Sequence, residues 1–349
     1  MTHTEAHPVP HKILVTGGAG YIGSHTVVEL MAAGYQPVIL DDFSNSHPEV
    51  PDRIAAITGQ RCPVYRADCN DPVALEAVFA AEGPFHAVIH FAAFKAVGES
   101  VAFPTRYYRN NVGSLTHLLD AMARHGNPGL VFSSSCTVYG QPDVLPVTEA
   151  SPILPASSPY GYTKQVCEQL IQDQASSPQG INAVILRYFN PIGAHPSALI
   201  GELPNGVPNN LVPFVTQSAA GLRPPVTVFG NDYNTADGTC VRDFIHVVDL
   251  ARAHVAALAS MPAAGSAPAV RIYNVGSGSG HSVLEVLDTM ARVLGRPLDY
   301  VMGPRRAGDI EAIWADTASG LPGWHPALDL ETALRDAWRW QQRLQSSTR

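Results

Sequence analysis

The stretch Thr16-Gly17-Gly18-Ala19-Gly20-Tyr21-Ile22-Gly23 follows the apolar run Ile13-Leu14-Val15 and opens directly onto an apolar pattern of helical length. Its glycines are spaced G-x-x-G-x-x-G. Glycine at such points permits a tight turn and lets the backbone approach a pyrophosphate closely, which then rests on the unpaired N–H groups of a helix N-terminus. With a strand before it and a helix after it, the motif reads as a dinucleotide-binding loop. Eighteen residues beyond Gly23, a second candidate strand ends in Leu40-Asp41-Asp42. A carboxylate at that place accepts the ribose hydroxyls of NAD and repels the 2′-phosphate of NADP, so NAD is the expected cofactor.

Outward from this loop, short apolar runs alternate with helix-length segments. Candidate strands are 13–15, 37–40, 63–66, 87–91, 130–133 and 183–186, with helical segments around 22–33, 71–82, 105–125 and 160–175. Such alternation predicts an α/β fold, a Rossmann-type doubly wound parallel sheet covered on both faces. The runs are continuously apolar rather than alternating, as strands buried on both sides are. After Asn190 the rhythm breaks into a Pro-, Gly- and Asn-rich segment. The reading is therefore an NAD-binding domain over 11–189, with part of 235–260 returning to it, and a smaller mixed α/β substrate domain over 190–349.

Composition narrows the class. The chain has 349 residues, 46% of them hydrophobic, and 22 basic against 30 acidic residues give a net charge of −8. A nucleic-acid partner is disfavoured, because phosphate binding draws on a basic face. No apolar stretch reaches the ~18 residues of a membrane span, and the polar start MTHTEAHPVPHK lacks the apolar core of a secretory signal, so a cytoplasmic location is expected. Cys62, Cys69, Cys136, Cys167 and Cys240 form no C-x-x-C pair, and no H-E-x-x-H is present. Neither a disulfide framework nor a metal site is expected.

Tyr160 and Lys164 are spaced i, i+4, which places them on one face of a helix. A free Tyr has a pKa near 10, too high for an efficient base at neutral pH, and a neighbouring ammonium lowers it. Ser133-Ser134-Ser135 ends the fifth candidate strand, twenty-five residues before Tyr160, where a hydroxyl can reach the Tyr and a reacting oxygen. With glycine loop, Ser and Tyr/Lys in this order, the chain resembles the extended short-chain dehydrogenase/reductase family, and within it the epimerases that act at carbon 4 of a UDP-hexose. The segments carrying the resemblance are His90 to Ser100, Ser133 to Gly140, Ser158 to Lys164, Leu186 to Gly193, Pro208 to Pro213, Phe229 to Tyr233 and Asp237 to His246.

The resemblance implies reversible epimerisation of UDP-glucose and UDP-galactose through a 4-keto sugar, with tightly bound NAD. Tyr160 would take the 4-hydroxyl proton, Ser135 would assist, and Lys164 would hold the nicotinamide ribose and lower the Tyr pKa. It also implies that Gly17, Gly20, Tyr21, Ile22, Gly23, Asp41, Asn45, Ser46, Asp68, Cys69, Phe91, Ala92, Lys95, Asn110, Ser133 and Phe189 line the cofactor. Lys95, Asn190, Asn210, Leu211, Phe229, Arg242, Arg306, Asp309 and Ile313 would face the nucleotide sugar. Arg242 and Arg306 suit a diphosphate, since guanidinium pairs well with phosphate oxygens. Asn209-Asn210 also reads as a helix cap. Ile313 stands where relatives carry Tyr or a small residue, which makes it the expected determinant of whether an N-acetylated hexose is admitted. A homodimer is implied, built on the helices around 105–125 and 160–175 through Val112, Leu115, Leu118, Leu119 and Met122 with Val166, Leu170 and Ile171.

Three other readings remain open: an epimerase acting on UDP-N-acetylglucosamine, alone or with the plain hexose; a dehydratase or decarboxylase on the same scaffold; and a catalytically silent NAD-binding regulator. The dehydratases place an acidic residue just before V-Y-G, where this chain has Cys136-Thr137. A silent regulator would have lost Tyr160, Lys164 or Ser135, and all three are present.

Overall fold

A computed structural model of the chain describes residues 11–262, 267–306, 309–318 and 320–347. Most of the polar N-terminal stretch therefore lies outside the described residues. The first half runs β1 (Lys12–Thr16), α1 (Tyr21–Ala32), β2 (Gln36–Asp41), α2 (Val50–Thr58), β3 (Val64–Arg66), α3 (Pro72–Glu82), β4 (Ala87–His90), α4 (Val97–Ala102), α5 (Pro104–Tyr107), α6 (Gly113–Arg124), β5 (Gly129–Ser135), α7 (Pro159–Ser176) and β6 (Ala183–Tyr188). There follow β7 (Asn190–Ile192), α8 (Leu211–Ala219), β8 (Val226–Phe229), β9 (Val241–His246), α9 (Val247–Ala259), β10 (Val270–Val275), β11 (Gly280–Ser282), α10 (Val283–Leu294), β12 (Tyr300–Gly303), β13 (Ala312–Ile313) and α11 (Leu330–Ser347). A π-helical turn, Tyr108–Val112, joins α5 to α6, and a 3₁₀ turn, Cys136–Tyr139, follows β5.

Seven parallel strands form the main sheet in the order β10-β6-β5-β4-β1-β2-β3. The order reverses between β1 and β4, and in open α/β sheets the crevice at that switch point, outside the carboxyl ends of the strands, receives the ligand. Alternation along the strands divides the core. Ile13, Val15, Ile39, Ile89 and Val131 pack with Val27 and Leu30 of α1, Ile54 of α2, and Leu250 and Ala253 of α9. Leu14, Val38, Leu40, Val88 and Phe132 pack the other way, onto Leu75 and Phe79 of α3, Leu115 and Leu118 of α6, and Ile171 of α7. Both faces are covered, which is why the runs read as continuously apolar.

The second layer is smaller. β9 pairs with β7, β11 and β13, and β8 pairs with β12. Its core joins α8, α10 and α11 through Val215, Met290 and Leu334. The chain returns to the main sheet after 189: α9, inside the 235–260 segment, packs in its core, and β10, beyond that segment and within the stretch given to the substrate domain, forms its edge strand against β6. The local sequence of β10 carries nothing to mark which sheet it joins.

The helices expected to form a dimer contact spend their apolar residues differently. Leu115, Leu118, Leu119, Met122 and Ile171 are buried against the sheet. The outer face of α6 and α7 instead presents a shallow groove lined by Tyr108, Val112, Thr116, His117 and Val166. The sheet takes the larger side chains because its face needs a full apolar stripe from each covering helix. No described helix is long and apolar enough to cross a membrane.

Candidate active site

The glycine loop connects β1 to α1 at the switch point. Gly17 has φ of +70°, a left-handed conformation, and a Cβ there would lie 2.9 Å from the Ala92 nitrogen. Loop and β4 end can approach this closely because no side chain intervenes. A Cβ on Gly23 would meet the Gly17 oxygen at 2.2 Å, so the first turn of α1 tucks under the loop. Gly20 caps α1 without a side chain, and the amides of Tyr21 and Ile22 meet no acceptor among the described residues. Open donors at a helix N-terminus favour an anion.

Asp41 closes β2 and is buried. Its Oδ2 accepts from the Ala19 amide at 2.9 Å, and its Oδ1 accepts from the Phe43 amide at 2.9 Å and the Ser46 hydroxyl at 2.7 Å. Burial pushes its pKa up, and these three bonds oppose that rise. Asp42 is exposed and turns back on Ser44 at 2.8 Å, while Asn45 is exposed beside it. Asp68, after β3, is also exposed and holds Asn70, whose amide reaches the Asn110 oxygen at 3.3 Å. Cys69 is buried next to it. The loop's open donors and the carboxylate at the end of β2 fit a dinucleotide whose ribose hydroxyls are free. Among the described residues, no group of His, Cys, Asp and Glu could hold a metal ion.

Three elements bring the reactive side chains together. Ser158 caps α7, its hydroxyl accepting from the Gly161 amide at 3.2 Å, and Pro159 is the first helical residue. This start sets Tyr160 and Lys164 one turn apart, and both are buried at 7% and 4% exposure. Lys164 donates from Nζ to the Ser133 carbonyl at 2.7 Å, tying α7 to the end of β5. Burial pulls the Lys164 pKa down to about 8. Burial raises the Tyr160 pKa, Tyr188 adds to the rise, and the hydrogen bond with Ser135 opposes it. Lys164 donates to the Ser133 carbonyl, and no hydrogen bond joins it to Tyr160 among the described residues.

Two residues beside this group are not among the expected site residues. Tyr188 ends β6 next to Tyr160; burial raises its pKa and the neighbouring Ser133 opposes the rise. His254, from α9, is fully buried, with its ring 4.6 Å from Phe91. Its Nδ1 lies 2.9 Å from the Leu250 carbonyl, which can only accept, so Nδ1 carries the proton and Nε2 accepts from the Ser133 hydroxyl at 3.2 Å. The Tyr188 position sits inside the LRYFN segment, which was the available signal. His254 lies in the 235–260 segment expected to return to the first domain, but no spacing or motif marks it as a partner of Ser133.

The residues expected to face a nucleotide sugar fall into three groups. Lys95, Asn190 and Asn210 stand at the meeting of the two layers, where Lys95 and Asn210 share Glu202. Asn210 occupies the cap position of α8 but makes no side-chain cap bond, and Leu211 follows as the first helical residue. Arg242, on β9, donates to the Val241 carbonyl at 2.9 Å, and its register partner on β13 is Ile313. Ile313 is 1% exposed and packs with Cys136, Val138, Tyr139 and Phe189. It thus belongs to the apolar cluster beside the Ser135 turn rather than to an open wall. In the third group, Arg306 lies over the Phe229 ring at 5.6 Å and pairs with Asp309 at 2.8 Å. Arg242 and Arg306 are therefore each engaged by protein acceptors.

A model of the family described as "NAD dependent epimerase/dehydratase family" matches residues 13–276. The chain is 50% identical over 334 residues to a UDP-glucose 4-epimerase of Yersinia pestis, covering 95% of this chain and 97% of that protein. Among solved structures, it is similar to the Bifidobacterium longum UDP-glucose 4-epimerase in complex with NAD+ and UDP, at TM-score 0.90 and 44% identity over 95% of this chain and 98% of that one. It is also similar to a Stenotrophomonas maltophila UDP-glucose-4-epimerase with bound NAD and formylated UDP-arabinopyranose, at TM-score 0.91 and 46% identity over 97% and 99%.

Proposed function

The chain belongs to the NAD-dependent epimerase/dehydratase family, and we propose that it interconverts UDP-glucose and UDP-galactose at carbon 4. NAD is its cofactor, and once held by the glycine loop, Asp41 and Lys164 it would supply reversible hydride acceptance at carbon 4 of the sugar. The observation that carries the reading is the constellation of Tyr160, Lys164 and Ser135 at the carboxyl edge of the sheet that also carries the glycine loop.

Gly17, Gly20 and the amides of Tyr21 and Ile22 would hold the pyrophosphate, Asp41 a ribose, and Lys164 the nicotinamide ribose. Tyr160 takes the proton of the 4-hydroxyl and gives it back to the same oxygen, so acid and base are one group. A buried phenol is a poor base on its own, and two features favour its ionised form in the loaded site. The Ser135 hydroxyl opposes the rise that burial causes, and an oxidised nicotinamide held beside it would add positive charge. Burial also excludes water from the reacting centre, which strengthens each of these interactions.

A dehydratase would need a carboxyl group near the sugar after oxidation. The turn following Ser135 offers a thiol and a hydroxyl, Cys136 and Thr137, which supports epimerisation over elimination. UDP-galactose deuterated at carbon 4 tests this directly. The label stays at carbon 4 of the UDP-glucose formed, and its loss to solvent would contradict hydride transfer.

Ile313 tunes the substrate range by filling space beside Phe189 and the Ser135 turn. Ile is stiff at χ1, and an added acetamido group that meets it must displace packed atoms at a cost of roughly 1–3 kcal/mol. The ratio of kcat/KM for UDP-N-acetylglucosamine to that for UDP-glucose shifts between wild type, Ile313→Tyr and Ile313→Val; an unchanged ratio removes Ile313 from specificity. The working assembly is a homodimer using the outer face of α6 and α7, with the exposed Tyr108 lining the groove and Tyr162 edge-on to that ring. Light scattering at micromolar concentration finds twice the mass of the chain, and a monomer would exclude that assembly.

A further inference from the structure

Glu202 has no part in the chemistry described so far, yet it sits where the two layers meet. Its side chain is 9% exposed. Its backbone is fixed from behind, since its carbonyl accepts from Trp340 Nε1 at 3.1 Å. Gly201 packs so close to that indole that a Cβ would lie 2.5 Å from the ring. A carboxylate so placed needs donors, because an unpaired charge away from water is costly. It finds two on one oxygen. Oε1 accepts from Lys95 Nζ at 3.1 Å and from Asn210 Nδ2 at 2.6 Å.

The two donors come from opposite sides of the crevice. Lys95 follows β4 at the cofactor edge of the main sheet, and its ammonium stands 5.9 Å over the ring of Tyr21, the first residue of α1. Asn210 opens α8 in the second layer, and its amide goes to Glu202 rather than to the helix. Left without a partner, a lysine stem and an asparagine amide sample several rotamers, and ordering them at binding weakens affinity. A fixed carboxylate that orders both in advance removes part of that cost.

We propose that Glu202 is a positioning residue, holding Lys95 and Asn210 together so that a cofactor-side ammonium and a substrate-side amide meet the nucleotide sugar as one preformed group. This rests on the reading of Lys95 and Asn210 as ligand contacts. Glu202 itself acts through them and touches no reacting atom.

Steady-state kinetics with UDP-galactose and thermal unfolding, both on the full chain, test it. Glu202→Ala raises KM about tenfold, the scale of one charge-assisted hydrogen bond, with a much smaller change in kcat. Glu202→Gln falls between, because its amide oxygen still accepts both bonds without the charge; it also serves if the Ala variant folds poorly. Lys95→Met and Asn210→Ala raise KM as well, and in the Lys95→Met background Glu202→Ala adds less than about threefold, since the group it ordered is gone. If Glu202→Ala and Glu202→Gln leave KM unchanged while Lys95→Met or Asn210→Ala raises it, the ligand contacts stand and this role of Glu202 is wrong. If Lys95→Met and Asn210→Ala both leave KM unchanged, the contact reading fails and the inference with it. A fall in Tm and kcat at constant KM marks Glu202 as fold support only and overturns the proposal.

Discussion

Glu168 lies one turn beyond Lys164 on α7, and removing its carboxylate tests how the reactive helix is held. The Glu168 and Arg187 side chains are each 5% exposed. Arg187 donates from Nε at 3.0 and 3.2 Å and from Nη2 at 2.6 Å, and the Ser134 hydroxyl donates to the same carboxylate at 2.5 Å. Arg187 also reaches the Tyr139 hydroxyl at 3.1 Å, which in turn donates to Asn274 at 2.7 Å. α7, β5, β6, β10 and the turn after β5 are thus tied around one charge. Glu168→Ala leaves the guanidinium buried without its counter-charge, which costs about 3–5 kcal/mol. Unfolding entropy of about 2.1 cal/mol/K per residue gives ~0.7 kcal/mol/K for a chain of this length, so Tm falls by about 4–7 °C. Activity falls with it, because Ser134 adjoins Ser135 and α7 carries Tyr160. Replacing both members, with Glu168→Leu and Arg187→Met together, recovers more than half of the lost stability, since both desolvation costs are then removed. Differential scanning calorimetry measures both. A Glu168→Ala Tm within 1 °C of wild type would refute the reasoning.

Tyr160→Phe keeps the packed ring and removes the proton acceptor, so turnover drops by about 10²–10⁴-fold with fold and cofactor content retained; near wild-type turnover would take the proton role from Tyr160. Lys164 carries a pH signature in stability. Its pKa is pulled from 10.5 in the free side chain to about 8 in the fold, so between those values the unfolded chain holds a proton that the native chain has released. Stability relative to Lys164→Met therefore rises as pH climbs from about 8 to 10.5 and is flat below. Urea titrations at a series of pH values check this, and a difference that falls with pH in that window would contradict it.

The parallel sheet and its loop were legible because they are local: a strand, a fixed glycine spacing and a helix lie next to one another in the chain. The Tyr160/Lys164 pair is equally local, as i, i+4 residues of one helix. What the sequence hid depends on distant contacts. β10 looks like any short strand until β6 offers it an edge, and although part of 235–260 is expected to return to the first domain, only the fold shows α9 packing on α1 and on the sheet. Leu115, Leu118 and Met122 show an apolar stripe, but a stripe does not say whether a sheet or a second subunit will cover it. His254 and Glu202 act through partners more than 90 residues away, Ser133 and Lys95, and no spacing rule spans that distance.

The most direct test of the central claim is to give the purified protein UDP-galactose with no NAD added and to resolve the sugar nucleotides over time. A redox-neutral epimerisation regenerates its cofactor in every turnover, so UDP-glucose accumulates over many turnovers per chain. The same final ratio of the two sugars is then reached from either starting sugar. Conversion that stops at one turnover, or a 4-keto-6-deoxy product in place of UDP-glucose, would contradict it.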